Sequence, residues 1–425
     1  MKYIQNEKIR QVSADTLVIG VDIASEVHYA RAFDWRGMEL CRVFRFDNDQ
    51  NGFTCLTKWV QELQEMAGKK AVLVGAEPTG HYWFCLAHHL RQQNMKLVLV
   101  NPFHVKRSKE LDDNHPSKTD LKDPKTIAKL VIEGRYIEPY IPQGLYGELR
   151  VLMECRQRIM EALTVTKNQI HRWLAIYFPE HNKVWNSFEA ESSLLVLRAA
   201  PLVEDILTLG VEGINQIWRR AKLRAVGIKR AMSLYAAASR SVGCHGGEAA
   251  RMELALLLAD YDAKNAQYDE VMAAVERLCE QLPEVAAMLT VKGVGLVTVA
   301  SFVAEVGDIR RFDSPKQIQK LAGLAIRQIS SGKSKGSSGI SRRGRARLRT
   351  ALFRAALSLA RTNPEFAALH KYYTTRPNNP LKKKQSIVAL SCKLIRVFYA
   401  LARKQTEYDP QRLMGDIHRP QLLAA

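Results

Sequence analysis

The chain has 425 residues and an apolar content of 47%, which is enough for two or three globular domains and excludes a disordered protein. Its net charge is +20, and residues 310–425 carry all of it, with 25 Lys and Arg against 5 Asp and Glu. This asymmetry predicts a nucleic-acid partner rather than a membrane, because the basic run at 342–349 has no opposing aromatic face. The sequence contains no signal peptide and no run of about 18 uncharged apolar residues, so we expect a cytoplasmic protein.

The first third of the chain predicts an α/β domain, because apolar strand-like runs alternate with helical spacing. A hairpin is expected around Arg36-Gly37, where two alternating segments meet. We predict strands over 16–23, 28–35, 39–46, 70–77 and 96–100, and helices over 51–66 and 83–90.

A helix begins after this domain's last strand, in the segment Ser117-Lys-Thr-Asp-Leu-Lys-Asp-Pro-Lys125. Pro124 fits the first helical position and Asp123 the N-cap before it, while Asp120 lies three residues upstream. A structural role in capping this helix would account for one of these two acids without any metal. Asp22 and Glu77, which fall at the ends of two apolar strands, add two more carboxylates where open sheets collect ligands.

Four carboxylates in the order Asp22, Glu77, Asp120 and Asp123 suit Mg²⁺ or Mn²⁺, which prefer oxygen ligands and bridge phosphates. Two such ions would stabilise the attacking and leaving oxygens of phosphoryl transfer. The arrangement looks like the RNase H/RuvC-like nuclease fold. Other candidates remain open: Glu26 as a rival of Asp22, and the pair Asp112-Asp113. The histidines are expected to be surface or packing residues, and they are His81, His88 and His89.

Residues 143–284 are almost wholly helical in pattern. Apolar residues follow near-heptad spacing over 149–177, and the character returns over 248–282, on either side of a less regular patch at 185–244. The two long helices predict either an antiparallel coiled-coil arm that dimerises or an ordinary bundle packed on the first domain.

The last domain, residues 285–425, places Gly293-Val-Gly295 between two helical runs, the shape of a helix-hairpin-helix. Its turn would let backbone N–H groups and Lys292 approach a phosphate, although a plain tight turn has the same sequence. A flexible loop at 330–340 follows and contains Ser331-Gly-Lys333, which on composition is typical of a linker. The cations expected to draw a phosphate to this region are Arg327, Lys333, Arg342, Arg343, Arg345 and Arg349.

The combined motifs resemble the transposases of insertion-sequence family one-hundred-ten, which are related to Piv-type DNA invertases. The likeness covers most of the chain. It rests on Gly20-Val-Asp-Ile-Ala-Ser25, Glu77-Pro-Thr-Gly80, Lys118-Thr-Asp-Leu-Lys-Asp123, Val291-Lys-Gly-Val-Gly295, Leu321-Ala-Gly-Leu324, Ser331-Gly-Lys333 and Ser341-Arg-Arg-Gly344. Two positions depart from the family pattern, Ile326 in place of Pro and Arg345 in place of Asn.

By this resemblance Asp22, Glu77, Asp120 and Asp123 would be the metal ligands of a RuvC-like DEDD domain, residues 1–142. Ser331, or the adjacent Ser330, would be a nucleophile that links covalently to DNA. The likeness also implies donor and target DNA, a structured guide (bridge) RNA, and dimers that assemble into tetramers. Active sites would combine the two catalytic domains of different subunits.

Three functions remain open on the residues themselves. One is a DNA transposase or recombinase, associated with the nucleoid when active. The second is a structure-specific or Holliday-junction nuclease that uses the same acids, with Ser331 as linker. The third is a nucleic-acid-binding protein in which the acids are structural.

Overall fold

The computed structural model describes residues 4–112, 123–327, 330–331, 334–335 and 339–415. The chain divides after Ile141 into two units, which we take in turn.

The N-terminal unit is built on a six-stranded sheet in the order β3-β2-β1-β4-β5-β6. Strands β1, β4 and β5 run parallel to one another, and the other three strands join antiparallel at the two sides. The strands are β1 (Thr16–Asp22), β2 (Val27–Phe33), β3 (Phe44–Asp47), β4 (Ala71–Ala76), β5 (Lys96–Val100) and β6 (Tyr136–Ile137).

Helices cover both faces of this sheet, which explains why β1 is apolar at successive positions. Leu17 and Ile19 of β1 point into one apolar cluster, which includes Phe53 and Leu86 of the helices on that face. Val18 points the other way, into a second cluster with residues 127–131. The helices of this unit are α1 (Ile4–Arg10), α2 (Gln50–Met66), α3 (Trp83–Gln92), α4 (Pro102–Asp112) and α5 (Asp123–Ile132).

The mixed α/β character of this unit is confirmed, and the differences lie in the ends of elements and in short elements that the sequence did not indicate. The hairpin exists, but its second strand begins at Phe44 rather than near Glu39, which makes only a single bridge to Phe33. The sequence pattern does not predict helix α4, because Asn101-Pro102 is equally typical of the end of a strand. Asn101 instead accepts a hydrogen bond at 2.9 Å from the Phe103 amide, so the same dipeptide ends β5 and begins a helix.

The C-terminal unit contains a long antiparallel helix pair, α6 (Gly144–Tyr177) and α11 (Glu248–Glu280). Leu149 near the start of α6 shares a cluster with Val275 near the end of α11. At the other end Trp173 donates its indole N–H to the Ala250 carbonyl at 2.9 Å. The expected antiparallel pairing of the two long helices is therefore confirmed, and we call this pair the arm.

Four shorter helices are inserted between the two helices of the arm, as the irregular pattern suggested. They have their own apolar cluster around Trp185, Ile214 and Trp218, and a second cluster joins them to the half of the arm that contains Trp173. The inserted helices are α7 (His181–Val184), α8 (Glu191–Ala199), α9 (Val203–Arg220) and α10 (Ile228–Ala238).

The remaining helices share one core with the opposite half of the arm, including Leu149 and Met153. One of them, α17, is long and apolar enough to cross a membrane, but Leu390, Leu394 and Phe398 on it are fully buried in that core. These helices are α12 (Pro283–Leu289), α13 (Leu296–Val306), α14 (Pro315–Leu321), α15 (Ala346–Thr362), α16 (Pro364–Thr375), α17 (Lys383–Lys404) and α18 (Pro410–Met414).

Candidate functional site

The carboxyl ends of β1 and β4 bring Asp22 and Glu77 next to each other. The two strands are parallel, and the last pair in their register is Val21 with Ala76. Asp22 and Glu77 are the next residues of the two chains, at a strand spacing of about 4.8 Å. Both side chains are partly exposed, so the two carboxylates lie at an accessible edge of the sheet.

Helix α5 brings a third predicted acid to this edge. Gly20 of β1 lies directly against the first turn of α5, where an added Cβ would overlap the carbonyl oxygen of Pro124. Asp22 is on the same face as Gly20, because side chains alternate along a strand. Asp123 precedes Pro124 in the chain and is only 9% exposed. The face of the sheet covered by α5 therefore carries Asp22 and Glu77 at its edge, with Asp123 at the start of the helix.

These carboxylates are the donors that a hard divalent cation prefers, and they come from three separate elements. Asp120 lies outside the described residues. Over the described ranges, no three His, Cys, Asp or Glu side chains form a group that could hold a metal ion. Asp22, Glu77 and Asp123 fit such an ion by donor type, and Asp120 is needed to complete the expected set.

Asp22 and its rival Glu26 occupy different positions relative to strand β1. Strand β1 ends at Asp22, and Glu26 lies exposed in the connection to β2, where its carbonyl accepts from the Asn48 amide at 2.8 Å. Glu26 is therefore not on the strand face that carries Asp22. Tyr29 is, because it is the cross-strand partner of Asp22 in the β1–β2 ladder. The sequence carries no signal for Tyr29, since only the exact register of the hairpin identifies it.

The histidines of the N-terminal unit have packing and surface roles, as expected. His89 is 8% exposed and its Nε2 lies 2.8 Å from the Thr57 hydroxyl, and burial lowers its pKa. His88 is exposed and its Nε2 pairs with the Gln92 side chain at 3.0 Å. The ring of His81 is tilted against that of the adjacent Tyr82, with ring centroids 4.5 Å apart.

The segment that carries the candidate serine is more ordered in backbone than we predicted. In place of a flexible loop, four short strands form two ladders, and Ser331 pairs with Ser334 in the inner ladder. Gly332 and Lys333, which lie between these two serines in the chain, are outside the described residues. The strands are β7 (Ile326–Arg327), β8 (Ser330–Ser331), β9 (Ser334–Lys335) and β10 (Gly339–Ile340).

Backbone hydrogen bonds attach this serine hairpin, β7 to β10, to the end of α14. The amide of Ser341 donates to Ala325 at 2.8 Å, and that of Arg342 donates to Gly323 at 3.0 Å. A Cβ added to Gly344 would overlap the Leu321 carbonyl oxygen, so a side chain is excluded there. The family-like segments 321–324 and 341–344 therefore meet in space and form the base of the hairpin.

Two of the arginines predicted to draw a phosphate, Arg345 and Arg349, also make contacts within the protein near this base. The Arg345 guanidinium contacts the Glu305 carbonyl and lies 3.3 Å from its carboxylate, with side chains 24% and 12% exposed. Burial, and then repulsion from Arg150, lowers the pKa of Arg345. Arg349 donates from Nη1 to the Ala322 carbonyl at 3.0 Å. Glu305 had no sequence signal, since a single acid in an apolar helix has no partner in the local pattern.

Two protein-family models match separate parts of this chain. A transposase family model, DEDD_Tnp_IS110, matches residues 19–179. A second model, for the transposase IS116/IS110/IS902 family, matches residues 285–371. The chain belongs to the IS110 family of insertion-sequence transposases.

Relatives of this IS110 transposase include proteins of nearly the same length. The transposase for insertion sequence element IS1111A of Coxiella burnetii is 25% identical over 95% of this chain and 94% of the relative. The pilin gene-inverting protein of Moraxella bovis is 24% identical over 92% of this chain and 97% of its own. The insertion element IS900 42 kDa protein of Mycobacterium paratuberculosis is 24% identical over 69% of this chain and 73% of its own.

In this IS110 transposase the remaining predicted nucleic-acid contacts divide into exposed and internal groups. Arg327, Arg342 and Arg343 are exposed at the serine hairpin, and Lys333 lies outside the described residues. Gly293 has a φ of +90°, and a Cβ there would lie 2.9 Å from the Thr362 hydroxyl.

The other residues of this turn are open to solvent. Lys292 is exposed, while its carbonyl accepts from the Asn363 side chain at 2.9 Å. Gly295 has open space around it at the start of α13. Gly293 is thus required by the fold, and Gly295 and Lys292 remain accessible.

Proposed function

We propose that this transposase cuts and rejoins DNA strands through a covalent link between Ser331 and DNA, and that the reaction requires the acidic edge formed by Asp22, Glu77, Asp120 and Asp123. The observation that supports it best is the register of β1 and β4, which makes Asp22 and Glu77 neighbours on the face covered by α5. The relatives named as a transposase and as a gene-inverting protein support DNA rearrangement rather than simple cleavage.

The acidic edge would hold Mg²⁺ or Mn²⁺ in a RuvC-like DEDD domain. A divalent ion bound there would supply Lewis-acid stabilisation of the oxygens at the reacting phosphorus. The protein would contribute carboxylates from three separate elements of this domain. Tyr29, beside Asp22, would limit the directions in which that carboxylate can turn.

The proposed chemistry at Ser331 is an exchange of ester bonds. The serine Oγ attacks a DNA phosphorus, so that an Oγ–P bond forms while the bond from phosphorus to a deoxyribose oxygen breaks. The serine proton passes to a base and the leaving oxygen is protonated, which releases a free DNA hydroxyl end. Attack by another hydroxyl end on the phosphoserine rejoins the DNA and regenerates the serine.

The proposed assembly is a homodimer that associates into a tetramer, with donor and target DNA and a guide RNA. We assign 1–142 to the DEDD domain, 143–284 to the helical region and 285–425 to the serine domain. Exposed apolar residues on the arm support its use in dimerisation. Val151 and Val165 of α6, two heptads apart, are 60% and 57% exposed, and Met252 and Leu256 of α11 are 60% and 65% exposed.

A denaturing gel tests the proposal. Protein purified with its co-expressed RNA is mixed with Mg²⁺ and DNA that spans an element junction. We expect a denaturant-resistant protein–DNA adduct with wild type, and none with Ser331→Ala or Asp120→Ala. Ser330→Ala and Glu26→Gln are the matched controls and should form the adduct.

The outcomes separate the proposal from its rivals. Cleaved DNA without an adduct, persisting in Ser331→Ala, would identify a nuclease that uses the acids alone. An adduct lost in Ser330→Ala and kept in Ser331→Ala would move the nucleophile by one residue. DNA binding with no strand breakage in any protein would leave the acids with a structural role only.

A further inference from the structure

The turn between α9 and α10 carries a concentration of positive charge that neither catalytic region includes. Residues 213–247 contain seven Lys and Arg and no Asp or Glu, although residues 1–309 are neutral overall. Four of these cations are exposed around the turn and form no ion pair within the described ranges. They are Arg220, Lys222, Arg224 and Lys229, which we call the basic turn.

Hydrogen bonds and packing hold the backbone of the basic turn in place. Arg219 donates from Nη1 to the Leu223 carbonyl at 3.0 Å and contacts the Val226 carbonyl with its other terminal nitrogen. A Cβ on Gly227 would lie 2.8 Å from that guanidinium, so the glycine leaves room for it. Trp218, fully buried, anchors the end of α9 by donating to the Ser192 carbonyl at 2.8 Å. One arginine thus fixes the loop from which the other four cations project.

We propose that the basic turn binds the phosphate backbone of duplex DNA flanking the sequence on which the serine domain acts. Exposed cations that project from an ordered backbone, in a segment without acids, are typical of a phosphate-backbone contact. A second copy of the same turn is disfavoured as the occupant, because a symmetric contact would bring two clusters of exposed cations together.

The arm sets the distance between the core of the serine domain and the inserted helices that carry the basic turn. Along α6, Leu149 lies in the core shared with the serine domain, and Trp173 lies in the cluster shared with the inserted helices. The helical rise puts these two residues about 36 Å apart along the axis. One turn of duplex DNA spans about 34–36 Å, so a duplex running beside the arm reaches the inserted helices after roughly one turn.

The experiment compares a quadruple variant with a control of equal charge. The test protein carries Arg220→Gln, Lys222→Gln, Arg224→Gln and Lys229→Gln. The control carries Arg42→Gln, Lys58→Gln, Lys70→Gln and Arg91→Gln, four exposed cations of the N-terminal unit. Affinity is measured over a range of salt concentrations with arbitrary-sequence duplexes of about 20 and 45 base pairs, since a helical turn is about 10.5 base pairs. The longer sequence is also tested as duplex RNA.

We expect the test variant to lose at least about tenfold in affinity for the longer DNA, and less for the shorter one. The slope of log affinity against log salt should fall by about 0.9 for each lost phosphate contact. Equal affinity and slope in the test and control proteins would overturn the proposal, and so would a loss confined to RNA. A changed oligomeric state in sedimentation with unchanged DNA affinity would instead identify a contact between copies.

This inference relies on the proposed function only for the presence of a DNA substrate. Ser331–DNA adduct formation on a short junction duplex, at saturating protein, should be the same in the test and control variants. Failure of the serine chemistry would remove the adduct from every protein. Failure of the basic-turn proposal would leave the adduct and the long-duplex affinity both unchanged.

Discussion

Gly20 of β1 and Pro124 of α5 meet backbone to backbone. An added Cβ on Gly20 would overlap the Pro124 carbonyl oxygen and lie 2.8 Å from its carbonyl carbon and 2.9 Å from the Ala128 nitrogen. No side chain fits between the strand and the helix at this point. The contact fixes the first turn of α5 on the strand that ends in Asp22, and it therefore sets where Asp123 lies relative to that acid.

Gly20→Ala should destabilise the N-terminal unit by at least roughly 3 kcal/mol, because the methyl group meets backbone atoms that cannot rotate away. Denaturant unfolding measures the effect. Gly247→Ala is the control, since Gly247 has open space around its Cβ position and an ordinary φ of −103°. A Gly20→Ala protein as stable as the control would mean that α5 can move off the strand freely.

Mg²⁺ or Mn²⁺ should protect β1 from hydrogen exchange in the wild type. A ligand that binds only the folded state adds about 2.7 kcal/mol at a hundredfold excess over its dissociation constant. Asp22→Asn and Glu77→Gln should lose this protection while remaining folded, because they also lose the repulsion between adjacent carboxylates. Glu26→Gln, in the exposed connection, should keep it. Protection retained in Asp22→Asn would place the ion elsewhere.

The acidic edge was predictable because strand ends and a helix start can be read from local sequence. Apolar runs ending in Asp22 and Glu77, and Pro124 after Asp123, each carry their own signal, and the structure brings these three acids to one edge of the sheet. The mixed α/β unit and the antiparallel arm were predictable for the same reason, since hydrophobic periodicity persists over long segments.

The parts that sequence did not indicate depend on distant partners. Arg345 lies in a basic run that is typical of a DNA contact. Its ion pair with Glu305, forty residues earlier, leaves no signal in the local sequence. The serine hairpin has the composition of a linker, so the sequence does not indicate its short ladders. Those ladders depend on the attachment of the hairpin's base, residues 321–324 and 341–344, at the end of α14. Tyr29 is paired with Asp22 by hairpin register, which composition does not determine.

The two glycines of the Gly293-Val-Gly295 turn should respond differently to alanine. Gly293→Ala should cost about 1–3 kcal/mol of stability, since its φ of +90° and the nearby Thr362 hydroxyl both oppose a side chain. Gly295→Ala should leave the melting temperature nearly unchanged, because nothing lies within 4 Å of its Cβ position. If the turn approaches a phosphate, Gly295→Ala will weaken DNA binding without destabilising the protein. Equal effects of the two substitutions on stability would contradict this assignment.

His181 should make the C-terminal unit sensitive to acid. Its side chain is 1% exposed between Phe178 and Trp185, its Nε2 lies 2.7 Å from the Ser193 hydroxyl, and burial lowers its pKa from 6.5 to about 4. Between these two values the unfolded chain binds a proton that the folded protein does not, so stability falls as pH falls from about 6.5 to 4 and the effect levels off below that range.

The loss attributable to His181 is about 3 kcal/mol over this window. It is measured as the difference in pH dependence of unfolding between wild type and His181→Gln, which keeps a polar partner for Ser193 but does not titrate. The same pH slope in both proteins would mean that the imidazole is already protonated in the folded state or that another group titrates in its place. A chemical-shift titration of the His181 ring separates these two cases. We expect no change above about pH 5, and a change above that pH would mean that the folded imidazole itself takes up the proton.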